Sequence, residues 1–326
     1  MDRDRLRELI EASDLDNLVR FIDGVVEARD WAGLVGVRDA CREAVERGKQ
    51  LWGVAEFAEY RIALDAPGPI AAEVVAPGAG RFGNGPLWEV AASTHPWAEL
   101  TGVIDPAMRA LIAHERLLRN DDVSAVAVDR LVVDAPLVLE PWEPDYPVAV
   151  YRSDRADFPE AGLADLEWVD VAGEAGVGLP QDAAADALLE LVRPWLEESS
   201  GRGEAVVVEG TAEAAVRSLG PRRVRSRHVS LGDAMAAMAW AGASGGAYGR
   251  RRGAAVGRSL AWWTLACLLG LEDDWPVAGA ELGAGGSELR WLRWDPGDAV
   301  GGWGFHLAVE DPVDGIAWAV SAVDAR

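Results

Sequence analysis

Cysteine is nearly absent: the chain has two, Cys41 and Cys267, in 326 residues. Both fall in apolar helical patterns on opposite halves of the chain, which predicts small buried core residues rather than a disulfide. Lysine occurs once, at Lys49, and 31 basic residues stand against 54 acidic ones, a formal net charge of -23. That balance argues against nucleic acid and against an anionic membrane as partners, because both would be repelled. The longest apolar run, around Leu260 to Leu271, is too short to span a bilayer. The opening MDRDRLRELIEAS is charged and amphipathic and carries no apolar signal region, so a cytoplasmic protein is expected. Catalytic signatures are missing too. There is no G-x-S-x-G elbow and no P-loop, and His114 in HERLLRN lacks the second histidine of a zincin helix. Gly78, Gly80 and Gly83 fit G-x-G-x-x-G, but no strand pattern precedes them, so the dinucleotide reading fails its context. No cofactor is expected and no catalytic residue can be named.

What is present is a large apolar fraction, 50% of residues, enough to build a core. The spacing predicts an α+β protein: a helical-hairpin N-terminal domain over 1–138 and an α+β C-terminal domain with antiparallel sheet over 148–326. In the first part Ser13 and Asp16 resemble a capping box, followed by Leu15, Leu18, Val19, Ile22, Val25 and Val26 at helical spacing. Further helices are expected from Asp30 to about Gly48, from Leu51 to Leu64, and from Asp105 to Arg119, in an arrangement loosely like HEAT or TPR stacking without a strict period. LVVDAPLVLE, from Leu131, is a strand candidate. The proline-rich LEPWEPDYP, Leu139 to Pro147, reads as a hinge, with Glu140, Glu143 and Asp145 as carboxylates of a solvated linker. Beyond it PVAVYRS, LEWVDV, GEAVVVEG, ELRWLRWD, WGFHLAVED and GIAWAVSAVD read as strands, the last two joined as a hairpin through Asp311 to Asp314.

One stretch stands apart. AWAGASGGAYGRRRGAAVGRSLAWW, Ala239 to Trp263, repeats glycine every four residues at Gly245, Gly249, Gly253 and Gly257. As one continuous helix it would form a stripe of small residues for close backbone packing, with Arg251 and Arg258 pointing away and Arg258 one turn before Trp262, in reach of a cation–π contact. As a loop from Gly242 to Gly249 opening a helix near Arg250, it would gather backbone N–H groups and cations around an anion. On that second reading the ligand-binding residues are Gly249, Arg250, Arg251, Arg252, Gly253 and Arg258. Four arginines within nine residues are a local anomaly in so acidic a chain.

Arg250, Gly253 and Ala255 also resemble the R-x-x-G-x-A loop with which GNAT-type acetyltransferases hold the pyrophosphate of acyl-CoA. The resemblance covers those few residues and implies a strand directly before the loop, where VSLGDAMAAMAWAGAS instead reads as helix. The second unusual feature is tryptophan, 15 in the chain. Those at 240, 262, 263, 275, 291, 294, 303 and 318 cluster in the C-terminal half, either as core or as an aromatic wall. The functional expectation is therefore a protein-interaction or scaffold module. The alternative is a binder of a small anionic, phosphate-bearing ligand, or an acyltransferase-like enzyme, with its site in 242–258.

Overall fold

The computed structural model describes residues 1–80, 83–127, 133–160, 166–171, 174–297 and 302–325. These gather into two compact units, one of Met1–Val132 with Ala149–Phe158, the other of Val133–Val148 with Pro159–Arg326. The strand expected from Leu131 begins outside the described residues, and its described remainder, from Val133, is not a strand.

The first unit is helical: α1 (Arg3–Ala12), α2 (Leu15–Glu27), α3 (Trp31–Glu46), α4 (Trp52–Asp65), α5 (Gly68–Ala71), α6 (Leu87–Thr94) and α7 (Pro106–Leu118), with a ribbon of β1 (Val150–Tyr151) and β2 (Ala156–Asp157). The apolar stripes meet inside, burying Leu18, Ile22, Leu34, Val37, Cys41 and Ile62 completely. The start of α2 corrects the reading of Ser13. Asp14 is the cap, its carboxylate accepting from the Asn17 N–H, and Ser13 closes α1 in the left-handed region at φ 51°. Asp30 and Asp105 cap α3 and α7 as their positions suggest. His95 ends α6 with its ring against two carbonyls, Nδ1 3.0 Å from Ala91 O and Nε2 2.7 Å from Ala66 O. It clips one helix end to another rather than facing a ligand.

The second unit is α+β. Its elements in chain order are β3 (Glu167–Asp170), β4 (Val177–Gly178), α8 (Ala183–Leu191), α9 (Arg193–Glu197), β5 (Arg202–Glu209), α10 (Ala212–Ser218), β6 (Arg223–Val229), α11 (Leu231–Ala243), α12 (Ala254–Leu268), α13 (Gly279–Glu288), β7 (Arg290–Asp295), β8 (Gly302–Asp311) and β9 (Ile316–Ala325). The seven strands form one sheet in the order β3-β6-β7-β8-β9-β5-β4, antiparallel throughout. The β8–β9 hairpin turns where expected, pairing Asp311 with Ile316. Strand alternation divides the sheet between two layers. On one face Val208, Val224, Leu292, Trp294, Ala308, Ala317 and Ala319 pack on α10. The intervening positions face the larger helical layer. There Trp318 donates to Asp182 at the cap of α8, and Trp303 stacks on Trp240 of α11 at 5.3 Å. Cys267 is buried in α12 as a free thiol, like Cys41, and burial pushes the two pKa values up to about 12 and about 11.

The helices α11 and α12 approach so closely that a Cβ on Gly257 would collide with the Ala239 carbonyl oxygen. Gly257→Val should therefore cost about 3 kcal/mol or more, since neither backbone can retreat. Gly24, in α2, has nothing within 4 Å of a Cβ, so Gly24→Ala should instead add up to about 1 kcal/mol through helix propensity. Paired urea melts check both signs.

His306 lies on the α10-facing side of β8, its Nδ1 3.1 Å from Ser321 Oγ and its ring 4.7 Å from Trp294. Burial pushes its pKa down from 6.5 to about 4. The unfolded chain thus binds a proton that the folded chain refuses. Stability should be lost as pH falls from 6.5 towards about 4, by on the order of 3 kcal/mol from this group. Subtracting the pH profile of His306→Asn from that of the parent isolates the component.

Candidate functional site

The glycine–arginine stretch is neither one helix nor a loop opening at Arg250. Helix α11 stops at Ala243, an irregular segment follows, and α12 starts at Ala254. Positive φ at Gly246 (70°) and Gly253 (93°) explains why helical spacing of glycines does not produce a helix here. Asp324, fully buried on β9, anchors the segment by accepting the Ala247 N–H at 2.6 Å, and a Cβ on Gly246 would strike that carboxylate. Helix α11 thus stands where the acetyltransferase pattern has a strand.

Two arginines of this stretch, Arg258 and Arg252, meet the chain's own glutamates. Arg258 is completely buried. Its Nε and Nη2 each donate to the Glu143 carboxylate at 2.7 Å, Nη1 donates to Pro136 O at 2.8 Å, and Nη2 also to Val138 O at 2.9 Å. The Trp262 indole N–H and the Tyr146 hydroxyl donate to the same carboxylate at 2.8 and 2.7 Å. Arg258 lies 5.2 Å from the Trp262 ring centroid, the cation–π contact that the spacing anticipates. Burial pulls the Glu143 pKa upward, but the hydrogen bonds and charge of Arg258 outweigh it and leave the carboxyl below its ordinary value. Glu143 is therefore a buried counter-ion, not the carboxylate of a solvated linker. Arg252 donates to the Glu190 side chain at 3.0 Å and to its carbonyl at 2.8 Å. The Arg250 backbone N–H donates to Glu198 at 3.1 Å. Arg250 is exposed, while Arg251 and Gly249 are half-buried and Gly253 is buried at the start of α12.

A second concentration of arginine lies on the sheet. Strand β6 reads RVRSRHV, and period-two alternation puts Arg223, Arg225 and Arg227 on one face. Register adds their neighbours: Arg227 opposes Arg293 and Arg225 opposes Asp295 on β7, while Trp168 and Asp170 of the edge strand β3 oppose Arg225 and Arg223. Arg225 is ion-paired with Asp295, and Arg223 lies 3.5 Å from Asp170. The guanidinium carbons of Arg223 and Arg225 lie 5.1 and 5.9 Å from the Trp168 ring centroid.

Arg293 is different. It is 7% exposed, and its cross-strand neighbours are Arg227 on one side and the buried Leu307 on the other. Its Nε is buried without a hydrogen-bond partner, as is the Nε of Arg225, and among the described residues no ion pair reaches it. Burial pushes its pKa down to about 10, with the charges of Glu160 and Asp233 acting in the opposite direction. Those two carboxylates act on it by charge without bonding its buried Nε, and burying a charge is costly, so this arginine calls for an explanation that Arg258 does not. Sequence reading missed the flank because RVRSRHV has no apolar alternation. Arginine at every second position was the available signal.

A third feature is a cavity of about 480 Å³ lined by Thr211, Glu213, His228, Val229, Leu289, Arg290, Trp291 and Glu310. His228 stands 3.5 Å from Glu213, and Arg290 2.8 Å from Glu310. The Thr211 hydroxyl accepts the Ala214 N–H at 3.3 Å as the cap of α10.

The fold and these surfaces define an α+β protein with a seven-stranded antiparallel sheet and an arginine-bearing flank. The chain belongs to DUF6183, a family of unknown function, whose model matches residues 16–313. No curated protein and no solved structure matches it.

The Arg258–Glu143 pair yields a direct expectation. Glu143→Gln leaves a buried guanidinium without its counter-charge and should cost about 3–5 kcal/mol. Glu143→Leu combined with Arg258→Met should cost less than the sum of those two single changes. A double-mutant cycle read by chemical denaturation checks this.

Proposed function

We propose that the sheet-bearing unit binds small anionic molecules on its arginine flank, and that the segment 242–258 supports the fold rather than the ligand. The observation that carries this reading is the alternation of Arg223, Arg225 and Arg227 on one sheet face, directly beside Arg293. Within 222–227 four of six residues are arginine, against a chain charge of -23. Screening confines such a field to about 8–10 Å at ordinary salt. A small anion feels the flank; a polyanion spanning the acidic surroundings is repelled. Among the described residues no helix is long and apolar enough to cross a membrane.

A protein partner is the second reading, favoured by edge strand β3, whose four residues are all exposed, with Trp168 at 51%. Such a partner would add a strand to that edge.

Titration with inorganic phosphate, phenyl phosphate and benzoate at low and high salt, followed by tryptophan fluorescence and thermal melting, separates the two. Saturable binding that weakens with salt and falls in Arg223→Ser/Arg227→Ser is expected. Ligand at a hundredfold excess over Kd should stabilise the fold by about 2.7 kcal/mol. Absence of saturable binding by all three anions at low salt would remove the small-anion reading.

A further inference from the structure

We infer that the Nε–H groups of Arg225 and Arg293 together hold one tetrahedral oxyanion, the phosphoryl group of a phosphate monoester whose organic part rests on Trp168. This names the ligand class of the flank and rests on the small-anion reading.

The two donors sit on adjacent strands and one face, offset by two residues: Arg225 opposes Asp295, and Arg293 precedes Asp295 by two. Such diagonal neighbours have Cβ atoms about 7–8 Å apart, within reach of two long side chains converging on one group. Asp295 engages Nη2 of Arg225, and the buried Nε of Arg225 still lacks a partner. The buried Nε of Arg293 also lacks one. Buried donors are as a rule satisfied, and a matched pair of orphans on neighbouring strands marks the place of an acceptor.

Among the described residues, the two carboxylates whose charge acts on Arg293 do not fill that place. Asp233 is held in the capping box of α11, accepting the Ser230 N–H at 3.2 Å and hydroxyl at 2.8 Å. Glu160 acts on Arg293 only through its charge. The register places Arg227 directly across the ladder from Arg293.

The geometry selects among anions. The two side chains start from different strands, so their donors need not lie in the plane of one carboxylate. A phosphoryl group presents oxygens in diverging directions and matches guanidinium donors well. Trp168, directly opposite Arg225 and half-exposed, offers a flat apolar surface next to that position.

The test compares the full chain with Arg293→Met, Arg293→Lys and Arg223→Ser, titrated with phenyl phosphate, inorganic phosphate and benzoate in low-salt buffer. The parent should bind phenyl phosphate with quenching of tryptophan emission. It should bind inorganic phosphate less tightly, for want of the aromatic contact, and benzoate least. Arg293→Met and Arg293→Lys should each weaken phenyl phosphate at least about tenfold, the lysine because it keeps the charge but loses the fork. Arg293→Met should also melt higher than the parent in anion-free buffer, since an apolar side chain of similar length replaces an unpaired buried charge. Arg223→Ser, which removes a flank charge but neither orphan donor, should weaken phenyl phosphate less than Arg293→Met does.

Equal affinity of the parent and Arg293→Met for phenyl phosphate overturns the inference, and so does a lower melting point of Arg293→Met with unchanged binding. Benzoate binding as tightly as phenyl phosphate overturns the phosphate assignment. If phenyl phosphate binds but only Arg223→Ser and Arg227→Ser weaken it, the flank reading stands and this anchor falls. If no anion binds the parent, both fall.

Discussion

The second unit is organised around one buried ion pair. Arg258, in the first turns of α12, and Glu143, 115 residues earlier, meet without access to water. Withdrawing two charges from water is expensive, and attraction alone rarely compensates for it. Here the remaining valences are satisfied as well. The guanidinium also reaches the carbonyls of Pro136 and Val138, and the carboxylate receives Trp262 and Tyr146. That requirement shapes the chain before β3. A helix would turn the Pro136 and Val138 carbonyls along its own axis, so the acceptors must come from irregular backbone, which proline favours. The irregular stretch just before the expected hinge thus supplies the acceptors, and the hinge stretch itself supplies Glu143.

The glycines of 245–257 lead up to the same pair in sequence. Next to Arg258 in α12, Gly257 lets α11 approach to backbone contact. The intervening segment then has to turn between two helices in close apposition, which calls for the left-handed conformations of Gly246 and Gly253. A four-residue glycine spacing thus arises from two unrelated demands, helix contact at one end and turn geometry at the other. Sequence alone does not separate them.

Elements set by local pattern were legible. The amphipathic stripes of α2, α3, α4 and α7, the Asp30 and Asp105 caps, and the strands β5, β7, β8 and β9 follow from periodicities of 3.6 and 2. The cap of α2 was misplaced by one residue because Ser13 and Asp14 are both competent caps and only the left-handed turn at Ser13 decides between them. Strand β6 escaped notice because its alternation is of charge rather than of apolarity. What no local pattern carries is pairing across long separations: Arg258 with Glu143, or Arg227 opposite Arg293 through a register set by neighbouring strands.

Arg258 and Arg293 are one residue type at nearly one depth, and their surroundings differ in kind. Around Arg258 the fold supplies a carboxylate and two carbonyls. Around Arg293 it supplies Leu307, Arg227 across the ladder, the charges of Glu160 and Asp233 without a hydrogen bond to Nε, and the Arg225–Asp295 pair with a donor to spare. If arginine were on the flank merely to fill volume, methionine or leucine would serve without the desolvation cost. If it were there to stabilise the sheet, a glutamate at 227, directly across the ladder, would have paired with it as Glu143 pairs with Arg258. The chain does neither, and the buried Nε atoms of Arg225 and Arg293 stay without a hydrogen-bond partner.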